Sequence, residues 1–140
     1  MREIVLDTET TGLDPVAGHR VVEIGCVELE NAIPTGQIFH VYLNPERDMP
    51  EEAFRVHGLS AEFLAGQRKF GEIAAEFVAF LGTANIVAHN AEFDMRFVNA
   101  EFALLGMAAV ESSRVVDTLA MARRRPMRLS KVPWPWRWTP

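Results

Sequence analysis

Ile4-Val5-Leu6-Asp7-Thr8-Glu9-Thr10-Thr11-Gly12 is the stretch that decides how this chain is read. The apolar run Ile4 to Leu6 ends in Asp7, the pattern of a buried strand that delivers a carboxylate at its end. Asp7 and Glu9 are two residues apart, so on a strand their side chains leave the same face. Two carboxylates side by side repel, and keeping both ionised is costly unless a cation sits between them. Hard divalent ions such as Mg²⁺ take oxygen ligands and suit that arrangement. An isolated Asp-x-Glu is most often a pair of acids on a solvated strand face. Here the apolar run before it and Thr10-Thr11-Gly12 behind it shift the reading toward a site.

Working outward, Gly12-Leu13-Asp14-Pro15 supplies turn chemistry. Arg20 to Leu29 reads as a second strand and Gln37 to Leu43 as a third, with Asn31 to Gly36 as the hairpin connection because it holds Pro34 and Gly36. The opening is therefore a meander of three strands, antiparallel. Pro50 followed by Glu51 and Glu52 starts a helix to His57, since acids suit a helix N-terminus. Ser60 caps a short helix through Leu64. Ile73, Phe77, Phe80 and Leu81 form a helical stripe between Gly71 and Leu81. Asn85 to His89 is a short strand, and Asn90 is the expected N-cap of a helix to about Leu105. Phe93, Phe97, Ala100 and Leu104 lie on one face of that helix. Val115-Val116 is a brief strand, and Asp117 caps a helix through Arg124.

At 140 residues, with 49% hydrophobic and 24% charged residues, the chain has the size and composition of one globular domain. The single cysteine, Cys26, excludes an internal disulfide and a cysteine-based metal site. No signal-peptide pattern and no apolar stretch of membrane-spanning length occur, so a cytoplasmic protein with no membrane partner is expected. The net charge of −5 argues against gripping a duplex along its phosphates. Apart from the basic cluster at Arg123-Arg124-Arg125, nucleic acid would have to be held as a short end in a cleft, with cations offsetting the carboxylates.

A second segment, His89-Asn90-Ala91-Glu92-Phe93-Asp94, passes from a strand end into a helix. Asp94 falls in the first turn, where the helix dipole favours a carboxylate in any case. Together, VLDTETTGL and VAHNAEFDMRFVNAE resemble the first two motifs of the DEDD 3′→5′ exonuclease superfamily, histidine branch. The stretches VVEIGCVELENAIPTGQIFHVYLNPERDMPEEAFRVHGLSAEFL and VVDTLAMARRR extend the resemblance to the family of proofreading epsilon subunits of bacterial DNA polymerase III. It runs from about Arg2 to Arg125. The resemblance implies an α/β, ribonuclease H-like fold, a mixed five-stranded sheet flanked by helices and antiparallel at one edge. It implies that Asp7, Glu9 and Asp94 are metal ligands for Mg²⁺ or Mn²⁺, two ions per complete site. It further implies that Asp7, Glu9, Thr10, Glu52 and His57 meet the terminal nucleotide. The implied partners are the 3′ end of single-stranded or frayed DNA, the polymerase III catalytic subunit and a small accessory subunit. In-line displacement at phosphorus would then use the two ions to activate water and stabilise the leaving 3′-oxygen.

The family's third motif, a His followed five residues later by Asp, supplies the general base and a fourth carboxylate. The histidines here are His19, His40, His57 and His89, and none follows Asp117. His89 and Asp94 have that spacing but already belong to the second motif. The expected organisation is an exonuclease domain over residues 1–125, incomplete at its C-terminus, then an irregular Pro/Trp-rich tail over residues 126–140. A truncated or frame-shifted gene would give that picture. The expected function is a 3′→5′ proofreading exonuclease impaired by the missing base. The alternatives are an RNA-end exonuclease of the same superfamily, or a non-catalytic module that binds a polymerase or nucleic acid.

Overall fold

A computed structural model describes the protein over residues 1–124, with side chains through Met121. The expected domain boundary near Arg125 and the Pro/Trp-rich tail lie outside the described residues.

Three strands open the fold: β1 (Arg2–Thr10), β2 (Val21–Glu30) and β3 (Ile33–Tyr42). Helices α1 (Glu51–His57), α2 (Ala61–Ala65) and α3 (Phe70–Leu81) follow, then β4 (Asn85–Ala88), α4 (Ala91–Leu104), β5 (Val115–Asp117) and α5 (Thr118–Arg124). They form one five-stranded sheet in the order β3-β2-β1-β4-β5. β1 pairs antiparallel with β2 and parallel with β4, and β4 pairs parallel with β5. The mixed sheet flanked by helices, antiparallel at one edge, is the one expected.

Two local expectations need correction. The hairpin between β2 and β3 is only Asn31-Ala32, both with positive φ (51° and 65°), and β3 already begins at Ile33. Pro34 and Gly36 therefore sit inside an edge strand, where a proline removes no needed ladder bond. Asn90 does not cap α4 through its side chain. It adopts φ 64°, ψ 55°, a left-handed conformation that asparagine tolerates, and its N–H donates to the Asp117 carboxylate at 3.1 Å.

Strand parity assigns the two faces of the sheet. Ile4 and Leu6 of β1, Ile24 and Cys26 of β2 and Ile86 of β4 enter the main core with Phe70, Ile73, Phe77, Phe97 and Phe102 from α3 and α4. The opposite face carries a row in register across all five strands: Ile38, Val27, Val5, Val87 and Val116. On that same face, further along β1, come Asp7 and then Glu9.

The ladder breaks where it matters. Glu9 pairs with Glu23, but Thr10 pairs with Val21, so β2 has one extra residue and its side-chain parity flips. That flip is why neighbouring Val21 and Val22 are both buried, Val21 in the main core and Val22 in a second cluster with Leu59 and Leu64. Beside the bulge, Arg20 donates to both oxygens of the buried Glu101 on α4 at 2.7 and 2.8 Å. The Val21 N–H also reaches Glu101, at 3.3 Å. This fork fixes the start of β2 against the last turns of α4.

Candidate active site

β1 delivers Asp7 and Glu9 from the second face at the end of the strand, opposite Gly25 and Glu23 of β2. Thr8, between them, points the other way and is buried. β4 pairs with β1 only as far as Val5 and then leaves for α4, which returns Asp94 to the end of β1. The Thr8 hydroxyl donates to Asp94 Oδ1, and the Thr8 backbone N–H also bonds this carboxylate. Asp94 is 4% exposed. Burial pushes its carboxyl up to about 7, with the negative charges of Asp7 and Glu9 adding to the effect and the two Thr8 bonds opposing it. The three carboxylates thus sit within electrostatic reach of one another.

As donors they fit a hard divalent cation: all are oxygen ligands, and their mutual repulsion is what a cation would relieve. Their aim is not closed on one point. Among the described residues, no three His, Cys, Asp or Glu side chains converge in a way that could hold a metal ion. Asp94 is instead bonded to the hydroxyl and the backbone N–H of Thr8, the residue between the other two carboxylates.

The other expected site residues are distributed around this end of the sheet. Thr10 is buried and donates from its hydroxyl to the Gly12 carbonyl at 2.6 Å. Glu52 is exposed in the first turn of α1. His57 ends α1, and its Nε2–H donates to the Thr10 carbonyl at 3.1 Å while its Nδ1 accepts the Leu59 N–H at 3.0 Å. Burial holds the His57 imidazole below its ordinary value, against the opposing influence of the Thr10 bond and of Glu23. The remaining histidines are engaged as well: His19 Nδ1 with the Thr11 hydroxyl (2.9 Å), His40 Nε2 with Glu23 (2.7 Å) and His89 Nδ1 with the Thr118 hydroxyl (3.1 Å). Asp117 caps α5 through the Leu119 N–H at 2.9 Å, as expected. Burial acts to raise its carboxyl, but backbone N–H groups of Ala91, Leu119, Ala120 and Asn90 hold it below the usual range.

The loop between β1 and β2 is fastened beside the site at three points that the sequence did not announce. Thr11 pairs with His19 and accepts the Arg20 N–H at 3.0 Å. Arg96 of α4 donates to Asp14 at 3.1 Å, and Arg47 to the Gly18 carbonyl at 2.9 Å. Gly12 lies against the His19 ring, and a Cβ there would stand 2.5 Å from it, so the ring would have to shift.

The exonuclease (RNase_T) family matches residues 4–137. This chain belongs to the exonuclease family. Among its relatives, the DNA polymerase III subunit epsilon of Rickettsia felis is 52% identical over 126 residues, covering 88% of this chain and 55% of that protein. The subunit of the same name from Escherichia coli is 45% identical over 130 residues, covering 88% and 54%. The chain thus spans about half the length of the curated relatives it matches. An apo exonuclease I structure superposes with a TM-score of 0.80 at 16% identity, covering 96% of this chain and 33% of that one. Exonuclease X in complex with 5′ overhanging duplex DNA gives 0.67 at 23% identity, covering 87% and 63%. At those identities the two structures establish the shared exonuclease fold alone. No helix among the described residues is long and apolar enough to cross a membrane.

Proposed function

We propose that this chain carries the metal-binding half of a 3′→5′ DNA exonuclease site, in the proofreading subunit of a replicative polymerase. The reading rests on one observation above the others: Asp7 and Glu9 share a face at the end of β1 and act electrostatically on the buried Asp94 brought by α4. The identity of the relatives as DNA polymerase III subunit epsilon supports a polymerase III partner; a frayed 3′ end of DNA as substrate and a small accessory subunit belong to the same proposal. Asp7 and Glu9 would hold Mg²⁺ or Mn²⁺, with Asp94 contributing through a water. A bound pair of such ions supplies charge neutralisation at the scissile phosphate and a lowered pKa for the attacking water.

The chain's own residues do the rest. The paired ladder of β1 with β2 keeps the spacing of Asp7 and Glu9 fixed, so little reorganisation is needed on binding. Thr8 holds the buried Asp94 through its hydroxyl and backbone N–H. Thr10, Glu52 and His57 surround the place for the terminal nucleotide. Residues 1–140 hold no histidine after Asp117, so the third motif that would supply the general base is not among them. A positioned base contributes roughly 10²- to 10⁴-fold. Hydrolysis by this chain should fall short of its longer relatives by about that factor.

The test is release of nucleotides from a single-stranded 3′ end with Mn²⁺ or Mg²⁺, using the E. coli relative and Asp7→Ala as references. Slow release abolished by Asp7→Ala is expected. Release at the relative's full rate would overturn the claim of a missing base. Mn²⁺ binding without any release would favour a non-catalytic polymerase- or nucleic-acid-binding module, the second reading that the absence of the third motif from residues 1–140 allows. Faster loss of oligoribonucleotide than of oligodeoxynucleotide would move the substrate to RNA ends.

A further inference from the structure

β4 pairs with β1 only as far as Val5, so beyond that point β1 is not laddered on the β4 side. A buried backbone N–H must still find an acceptor. At Thr8 the acceptor is a side chain: the Asp94 carboxylate takes the Thr8 N–H, and its Oδ1 takes the Thr8 hydroxyl. Both residues are buried. A threonine hydroxyl has a single proton to give, and here it goes to Asp94. The two donors belong to one residue whose backbone is set opposite Ile24 in the β1–β2 ladder. An N–H alone would leave the carboxylate free to turn about that bond, and the second donor removes that freedom. Thr8 also stands between Asp7 and Glu9. Three consecutive residues of one strand therefore govern all three carboxylates, the outer two by carrying them and the middle one by holding the third.

We infer that Thr8 is a positioning residue of the proposed cation site, its hydroxyl orienting the Asp94 carboxylate toward the ion that Asp7 and Glu9 would hold. The inference rests on the function proposed above and adds to it a residue that acts only through Asp94. Carboxylates that bind metal ions are themselves oriented by hydrogen bonds, and removing such a partner weakens metal binding by about 10- to 100-fold. The strand makes no demand for the hydroxyl, because any β-branched residue suits it. Valine has the shape of threonine without the proton, and serine keeps the proton without the methyl group. The two replacements therefore separate the hydrogen bond from the packing.

In the full 140-residue chain, Mn²⁺ titration without substrate should show Thr8→Val weakened about tenfold or more and Thr8→Ser within about threefold of the unsubstituted chain. In an Asp94→Ala background, Thr8→Val should weaken Mn²⁺ binding no further, because the hydroxyl then has no carboxylate to orient. Three-bond proton couplings of Asp94 should report a single side-chain rotamer in the unsubstituted chain and in Thr8→Ser, and an average over rotamers in Thr8→Val. Amide exchange at Thr8 should quicken in Asp94→Ala, which tests the pairing from the other side. Unchanged or tighter Mn²⁺ binding by Thr8→Val would overturn the inference, the tighter case showing that the hydroxyl holds the carboxylate back from the ion. A loss in Thr8→Val that persists undiminished in the Asp94→Ala background would overturn it too, since the damage would then lie in β1. If the unsubstituted chain binds no Mn²⁺, the proposed function fails, and the Asp94 rotamers alone decide whether the Thr8 hydroxyl orients the carboxylate.

Discussion

Replacing Asp94 by Asn probes the tension built into this site. Asp94 is nearly devoid of solvent contact, and its carboxyl is pushed from an ordinary 3.8 up to about 7, chiefly by burial and further by Asp7 and Glu9. A carboxyl raised on folding contributes its full stability below the unfolded value and loses it as the pH rises toward the folded one. The window here runs from about pH 4 to pH 7. Each pH unit between the two values is worth about 1.4 kcal/mol, so the ceiling is about 4 kcal/mol against the folded chain at pH 8. Asparagine removes the charge and keeps an oxygen to accept the Thr8 hydroxyl, but its amide brings a donor that costs about 1 kcal/mol if it finds no partner. Without divalent cations at pH 8, Asp94→Asn should therefore be more stable by about 2 to 4 kcal/mol. For a domain of this size that is a rise in melting temperature on the order of 10 °C. At pH 4 the two proteins should melt together. Adding Mg²⁺ or Mn²⁺ at pH 8 should raise the melting temperature of the unsubstituted chain and narrow the gap, because binding to the folded form alone stabilises it. Circular dichroism melts across pH, with chelator and with metal, give all of these quantities. An Asp94→Asn protein that melts at or below the unsubstituted chain at pH 8 in chelator would refute the reasoning, as would a gap independent of pH.

Gly12→Ala places a Cβ 2.5 Å from the His19 ring and should cost about 1 to 3 kcal/mol in chemical denaturation. Adding His19→Ala should recover much of that loss, and a double-mutant cycle without coupling would show that the ring simply moves aside. Glu101→Ala leaves the Arg20 guanidinium and the Val21 N–H without their shared acceptor and should destabilise by about 3 kcal/mol. The pair Arg20→Ala with Glu101→Ala should cost less than the sum of the two single changes, since neither charge is then stranded; strict additivity in urea melts would count against the fork.

The elements that the sequence made legible are those whose signal is local. β1 could be read from an apolar run meeting a carboxylate, and α3 from Ile73, Phe77 and Leu81, all buried at the expected spacing. The five-stranded mixed sheet, antiparallel at one edge, followed from resemblance and holds in the structure. What escaped is set by contacts distant in sequence. Arg20 and Glu101 stand 81 residues apart, and nothing near either one marks it as half of a fork. The bulge at Val21-Val22 hides in a run of valines, where period-two alternation says nothing about which member is the extra one. Asn90 looked like a cap because its residue type suits a cap, yet the left-handed backbone turns its N–H toward Asp117. The partners of His57 were equally invisible, since Thr10 meets α1 only after β2 and β3 have folded back.

The parity of β1 also explains why a recognisable pair of acids does not by itself make a closed site. Alternation sends Thr8 into the core and Asp7 and Glu9 to the opposite face, and α4 packs on the core side. Asp94 therefore arrives from the side of Thr8, whose hydroxyl and amide both bond it while Asp7 and Glu9 act on it through their charge. The groups that stabilise the helix–strand junction are thus bonded to the carboxylate proposed to help hold a cation. Packing of α4 and binding of a cation would act on the same side chain. The balance between them depends on the charge that burial makes expensive, so a divalent ion binding at Asp7 and Glu9 would act on the packing of α4 as much as on the chemistry at the end of the strand.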